Sequence, residues 1–362
     1  MAKLGEVFTI ASGGTPDKGN PFYYENGTIP WVKTGDLKNQ YVPTGIDCIT
    51  EEGLNNSSAK LFPPNTVLVA MYGATIGACS ILSYEAATNQ ACAAFLPNEN
   101  VLPTYLYYFL SSKREQFVKD GVGGAQPNIS AGYLKNVQFG LIPMQQQIDI
   151  VEKLDKVEKL IALRKEQLAK LDQLVKSRFV ELFGDTPDEE KKTMADICKI
   201  ITDGTHQPPK FTSTGIPFLF VSNIVTNEIH YDAEKFISEE TYAELIKRTP
   251  IAIGDILLST VGSYGHPAVV KSDKPFCFQR HIAYLKPNAD MVNSEYLRGA
   301  ILSADVQRQI DERVKGIAQK TLNLSEIRKL QLPLPSMEQQ EQFAAFVEQT
   351  DKSKLAIQYS LN

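Results

Sequence analysis

Few side chains in this chain have the types and spacing that reactive chemistry demands. Gln207-Pro208-Pro209-Lys210 comes nearest to the Asn/Asp-Pro-Pro-aromatic motif of an adenine methyltransferase. It lacks both the Asn or Asp and the aromatic ring, so it reads as a turn. No Gly-x-x-x-x-Gly-Lys-Ser/Thr loop is present, so a nucleoside triphosphate site is not indicated. Asp188 with Glu190-Lys191-Lys192 offers the residue types of a metal-dependent nuclease. Such side chains must converge from separate strands, and these crowd into one charged stretch. His206, His230, His266 and His281 have no zinc-ligand spacing. The five cysteines (Cys48, Cys79, Cys92, Cys198, Cys277) are scattered, odd in number and without a Cys-x-x-Cys pair. Neither a disulfide frame nor a zinc cluster follows. The residues point away from catalysis, cofactor binding or metal binding by the chain itself.

The element that organises the chain is the stretch from Met144 to Phe183. Leu154, Ile161, Leu168, Val175 and Leu182 recur there every seven residues, and Glu, Lys, Gln and Asp fill the other faces. Pro143 precedes the run, and Gly184 with Pro187 ends it. A continuous helix is predicted, about 60 Å long at roughly 1.5 Å per residue. A lone helix with a narrow apolar seam needs a partner helix.

On either side of this helix the same order of motifs occurs twice, at an offset of roughly 190 residues. Gly204-Thr205 repeats Gly14-Thr15, and Gly215-Ile216-Pro217-Phe218 resembles Gly27-Thr28-Ile29-Pro30-Trp31. The apolar run Ile256-Leu257-Leu258 repeats Thr66 to Met71, the clearest core strand. Phe278-Gln279-Arg280 stands where Asn89-Gln90-Ala91 stood, which puts Phe278 opposite Asn89. Leu332-Pro333-Leu334-Pro335-Ser336-Met337-Glu338-Gln339-Gln340 repeats Leu141 to Gln147. One internal duplication explains the constant offset. Within the first copy, Val7 to Ile10 and Ala91 to Leu96 read as strands, and Thr104 to Lys119 as a helix. Trp31 reads as core. A second, shorter helix opens with Ser336 and Gln339, a capping box, and carries Phe343, Phe346 and Val347. It is the natural antiparallel partner for the central helix, on the seam from Leu154 to Leu182.

The expected architecture is α+β. Two similar mixed α/β domains, 1–142 and 186–334, are separated by a long antiparallel two-helix coiled coil from 143–185 and 335–362. The apolar share, 43%, lets each half bury a core. The formal charge of −5 excludes a globally basic nucleic-acid binder and confines any such site to a local patch. No segment approaches the apolar length needed to span a bilayer, so a soluble cytoplasmic protein is expected.

The paired motifs make the resemblance specific. Gly-Gly-Thr-Pro from Gly13, Pro-Trp-Val-Lys-Thr-Gly-Asp-Leu from Pro30 and Tyr-Gly-Ala-Thr-Ile-Gly from Tyr72 are followed by Thr-Asn-Gln-Ala-Cys from Thr88 and Gln-Pro-Asn-Ile-Ser from Gln126. With Ile-Pro-Met-Gln-Gln-Gln ahead of the long helix, the whole chain resembles a type I restriction–modification specificity subunit. The resemblance implies two target-recognition domains, each reading half of a bipartite sequence in double-stranded DNA. The helices would space the halves and dock two modification subunits. Those partners would carry S-adenosylmethionine, and restriction subunits, where present, would supply ATP- and Mg-dependent translocation and cleavage. Two other classes, a helical protein-binding scaffold and a stand-alone DNA-binding regulator, are tested by domain exchange and by duplex binding of the isolated chain.

For such a reader, Arg or Lys suits guanine and Asn or Gln suits adenine, while hydroxyls and backbone N–H groups hold phosphates. Candidate contacts in the first domain are Thr15, Lys33, Thr34, Asp36, Thr75, Asn89, Gln90, Gln126 and Asn128. In the second they are Thr205, His206, Lys210, Ser222, Asn223, Ser263, Tyr264, Gln279, Arg280, Lys315, Gln319 and Lys320. The competing role for Asn, Asp and Thr at strand ends is to build turns.

Overall fold

The computed structural model describes residues 1–123, 127–184, 187, 191–316 and 320–361. Gln126, Asp188, Glu190 and Gln319 lie outside the described residues. The chain divides into two compact units, Met1–Leu160 and Ile161–Asn362, with the boundary inside the long helix rather than at its ends.

Both units are built on one strand plan. In the first, an antiparallel sheet has the order Ile10–Ser12, Cys92–Phe95, Val67–Ala70, Cys79–Ile81. In the second, the order is Cys198–Asp203, Ile282–Pro287, Ile256–Ser259, Pro267–Val269. A smaller sheet pairs Ile29–Val32 in parallel with Ala86–Thr88, and its counterpart pairs Ile216–Leu219 in parallel with Cys277–Phe278. A short antiparallel ribbon closes each unit, Ala2–Lys3 on Gln138–Phe139 and Lys191–Thr193 on Gln331–Pro333.

The apolar runs dictate the layering. All four residues of Val67–Ala70 are buried. Val67 and Val69 enter a core with Leu106, Leu110 and Phe117, while Leu68 and Ala70 enter another with Val32 and Phe62. Side chains alternate across a strand, so a strand covered on both faces must be apolar throughout. Ile256, Leu257 and Leu258 divide between two cores in the same way.

Two local expectations are corrected. Val7 to Ile10 is not one strand, because Leu4–Val7 is a helical turn and the strand starts at Ile10. The Glu6 carboxylate accepts the Lys3 N–H at 2.8 Å and caps that turn. The helix expected from Thr104 to Lys119 is two, Pro103–Ser112 and Arg114–Asp120, divided at Lys113.

The long helix spans Met144–Phe183, as its sequence predicts. Its first turn is stapled to the first unit by Gln147, which is fully buried. The Gln147 amide oxygen accepts the Leu102 N–H at 2.9 Å, and its NH2 donates to the carbonyls of Asn100 (2.8 Å) and Ile142 (2.9 Å). Gln340 does the same in the second unit. Its oxygen accepts the Asn293 N–H at 2.8 Å, and its NH2 donates to Met291 (3.1 Å) and Pro335 (2.9 Å). A glutamine with oxygen and both amide hydrogens satisfied is cheap to bury and costly to replace.

Within Ile161–Asn362, the helix Met337–Tyr359 runs antiparallel to the end of the long helix. Phe343 packs edge-on against Phe179 and Phe183, with ring centroids 5.5 and 5.9 Å apart. Further along, Lys354 reaches Asp172 at 2.7 Å. The pairing is thus antiparallel, and of the expected seam Val175 packs against the cluster that holds Phe343 and Val347. Phe343 and Val347 are buried and Phe346 is half-buried. Leu168 and Val175 are also half-buried, whereas Leu154, Ile161 and Leu182 are 36–37% exposed. The aromatic pair Phe179 and Phe183, off the seven-residue row, carries the contact because Tyr296 of the adjoining domain closes the same cluster. Large rings that meet both a helix and a domain bury more area than a narrow aliphatic stripe.

Candidate nucleic-acid interface

The strand register gathers most of the polar residues singled out by sequence at one end of each sheet. In the first unit, Ser12 ends its strand beside Ala93, Ala70 ends beside Cys92, and Val69 faces Cys79. Val32 and Thr88 end the parallel pair side by side. The loops after Ser12, Val32, Ala70 and Thr88 therefore emerge together. The loop that ends in Asn128 joins them, since Gly73 N–H donates to Pro127 O at 2.9 Å and Ile129 N–H to Met71 O at 2.9 Å. These loops contain Thr15, Lys33, Thr34, Asp36, Thr75, Asn89, Gln90 and Asn128. In the second unit the equivalent loops contain Thr205, His206, Ser222, Asn223, Ser263, Tyr264, Gln279 and Arg280. Gly262 N–H donates to Lys320 O at 3.2 Å, and Lys315 and Thr321 exchange backbone bonds, which joins Lys315 and Lys320 to the set. Lys210 is exposed further along the loop that follows Asp203.

Hydrogen bonds separate side chains already engaged within the fold from those left outward. Asp36 accepts the Lys33 N–H at 2.8 Å, Thr75 donates to Tyr72 O at 3.0 Å, and Asn89 accepts the Ala91 N–H at 3.2 Å. All three side chains build their own turns. Asn223 is engaged within the fold. It is 9% exposed, its oxygen accepts the Phe220 N–H, and its NH2 donates to the carbonyls of His230 and Asp232. Thr205 donates to Gln207 O at 2.9 Å, and Tyr264 donates to Asp311 at 2.9 Å. Lys33 pairs with Asp47, whose hydrogen bond raises the lysine pKa above its usual value. Thr34 and Asn128 are half-buried, whereas Gln90, Ser222, Ser263, Arg280, Lys315 and Lys320 are exposed. His281 stands beside Arg280. Burial first, and the Arg280 charge second, lower its pKa below the ordinary histidine value.

The structure also shifts the register of the internal repeat. Gly13 and Gly204 are equivalent, because a Cβ on either would lie 1.9 Å from Thr88 O or 2.2 Å from Phe278 O. Only glycine allows that approach. The match of Gly204-Thr205 to Gly14-Thr15 is therefore corrected by one residue. Asn89 N–H donates to Val32 O at 3.0 Å, and Gln279 N–H donates to Leu219 O at 3.2 Å. Phe278 thus corresponds to Thr88, Gln279 to Asn89, and Arg280 to Gln90. Identity matching misses this register because backbone contacts, not residue names, define it.

Two outward residues escaped the sequence reading. Tyr72 is 47% exposed at the same sheet end, next to Gly73 at φ +64°, and an aromatic ahead of a turn glycine was the available signal. Arg248 pairs with Asp203, which also meets His206 at 2.9 Å, and no local pattern marks it. Trp31 is core, with its indole N–H on Gly14 O at 3.0 Å. Among the described residues, no group of three or more His, Cys, Asp or Glu is placed to hold a metal ion.

Comparison with known proteins adds a family. A model described as the type I restriction modification DNA specificity domain matches residues 1–173 and again 188–362. The EcoR124I/EcoR124II type I restriction enzyme specificity subunit of Escherichia coli is 31% identical over 162 residues, 43% of this chain and 40% of that one. The MjaIX specificity subunit of Methanocaldococcus jannaschii is 25% identical over 375 residues, covering 96% of this chain and 85% of the relative. In fold, the chain is similar to the type I restriction–modification S subunit of M. genitalium, with TM-score 0.53, 15% identity, and 99% and 91% of the two chains covered. A structure solved for the assembly and conformational transition of a type I system gives TM-score 0.60 at 17% identity over 99% and 92%.

Proposed function

The chain belongs to the type I restriction modification DNA specificity family, and from that premise we propose that it is the non-catalytic subunit that reads a bipartite duplex sequence. Each unit reads one half. The observation that carries this reading is the duplicated sheet end, where the same loops bring polar and basic side chains together twice on one strand plan. Backbone N–H groups and hydroxyls would set the register on phosphates, and the outward amides and guanidinium would read base edges. The net charge of −5 is compatible, because exposed Arg280, Lys315 and Lys320 lie on the gathered loops of the second unit and supply local positive charge.

The chemistry belongs to partners in this reading. Two modification subunits would bind S-adenosylmethionine and methylate an adenine turned out of the duplex. They would dock on the helices Met144–Phe183 and Met337–Tyr359, whose outer faces keep apolar side chains such as Val157, Leu160 and Leu355 in solvent. Restriction subunits would add ATP- and Mg-dependent cleavage. Among the described residues no helix is long and apolar enough to cross a membrane. Because one continuous helix joins the two readers, the recognised sequence should consist of two short blocks with an unread spacer. Methylome sequencing of cells that express the whole complex tests this, and a continuous, ungapped motif would refute it.

A further inference from the structure

The corrected register puts two different side chains in one structural position. Gln90 and Arg280 each follow a residue whose N–H donates across to the parallel strand, Asn89 to Val32 O and Gln279 to Leu219 O. Each sits second in a four-residue turn closed by the next bond, Cys92 N–H to Asn89 O at 3.3 Å and Ile282 N–H to Gln279 O at 3.1 Å. The five residues ending at Gln90 and the five ending at Arg280 share one burial pattern, with three buried, one half-buried and the last exposed. Gly13 and Gly204 press on the backbone of these turns from behind. The backbone frame is therefore the same, and its one exposed side chain is a glutamine in the first unit and an arginine in the second.

That difference has a chemical meaning. A glutamine amide offers one donor and one acceptor, the pattern that matches adenine N7 and N6. A guanidinium offers paired donors, the pattern that matches guanine N7 and O6. The Thr15 hydroxyl donates to Gln90 Oε1 at 2.5 Å and orients the amide. The residue equivalent to Thr15 in the second unit is His206, which turns to Asp203, while Arg280 donates through Nε to His281 Nε2 at 3.3 Å and stays exposed. Resting on the DNA-reading function above, we propose that Gln90 and Arg280 are equivalent base-reading residues, Gln90 selecting an adenine in one half-site and Arg280 a guanine in the other.

The test is methylome sequencing of cells carrying the complete system, with Gln90→Arg, Arg280→Gln and the truncations Gln90→Ala and Arg280→Ala. Gln90→Arg should convert one A·T pair to G·C at a single position of one half-site, and Arg280→Gln should do the converse in the other half. The preference at that position should move by roughly ten- to a hundredfold, the discrimination of a good bidentate pair. Each alanine variant should make one position degenerate and leave the remaining motif intact. If Gln90→Arg abolishes methylation, the alanine variant decides. An unchanged motif in both alanine variants overturns the assignment, as does an even fall in methylation across all sites, the behaviour of a phosphate contact. A wild-type complex that methylates no gapped motif would instead refute the DNA-reading function itself.

Discussion

The two units share their strand order, their parallel pair, their closing ribbon and the buried glutamine at the head of each helix. They differ in the side chains carried at equivalent turn positions. Thr15, Asn89 and Gln90 stand in the first where His206, Gln279 and Arg280 stand in the second. The lesson is a separation of duties. Bonds made by backbone groups and by fully satisfied buried amides hold the frame, so the exposed turn residues can change without cost to folding. Surface substitutions away from such features usually alter stability by less than about 0.5 kcal/mol.

The largest loss is expected at the helix contact within the second unit. Phe343 is fully buried among Phe179, Phe183 and Tyr296. Phe343→Ala should cost about 3–5 kcal/mol in denaturant unfolding of the second unit. Leu182→Ala, on the expected seam but 37% exposed, should cost far less. Equal losses would restore the seam as the pairing surface.

A smaller and symmetrical loss is expected at the two glutamines. Gln147→Leu and Gln340→Leu each strand one backbone N–H and two carbonyls. Each should cost about 1–3 kcal/mol or somewhat more, by the usual penalty for buried unpaired groups. Thermal unfolding of both variants measures it. A clear loss in one and none in the other would show that the clamps are not equivalent.

Asn223 sharpens the line between frame and reader. Asn223→Ala should destabilise the second unit by about 1–3 kcal/mol yet leave the methylated sequence unchanged, because its amide is spent on the backbone. A changed half-site with normal stability would return Asn223 to the readers. The smallest effect is expected at Lys354, which joins Asp172 and Asp351 across the helix pair. Asp172 is 62% exposed, so breaking that bridge with Asp172→Asn should cost no more than about 1 kcal/mol. The loss should shrink further at high salt, which a salt series of unfolding curves would show.

Much of this was legible in the sequence, for local reasons. Forty residues without an internal Gly or Pro, bracketed by Pro143 and Gly184, allow little but a helix from Met144 to Phe183. The runs at Val67 and Ile256 are too apolar and too short for anything but buried strands. Repeated glycine, proline and glutamine motifs at a constant offset declare two copies of one domain. The capping box at Ser336 and Gln339 starts the last helix where it was expected.

Tertiary contacts decided the rest. The sequence could not tell a polar side chain aimed at solvent from one bonded to its own turn, so Asn223 and Ser222 read alike although one is buried and the other exposed. Nor could it choose Phe179 and Phe183 over the regular row, since Tyr296, which closes that cluster, lies more than a hundred residues away in sequence. The one-residue register of Gln90 against Arg280 was beyond it for the same reason. Composition and periodicity determine which elements form and how often, because those depend on neighbours along the chain. Which side chains remain free to meet a partner depends on neighbours across it, and the close approach of Gly13 to Thr88 and Gly204 to Phe278 fixes the register in which the two units are compared.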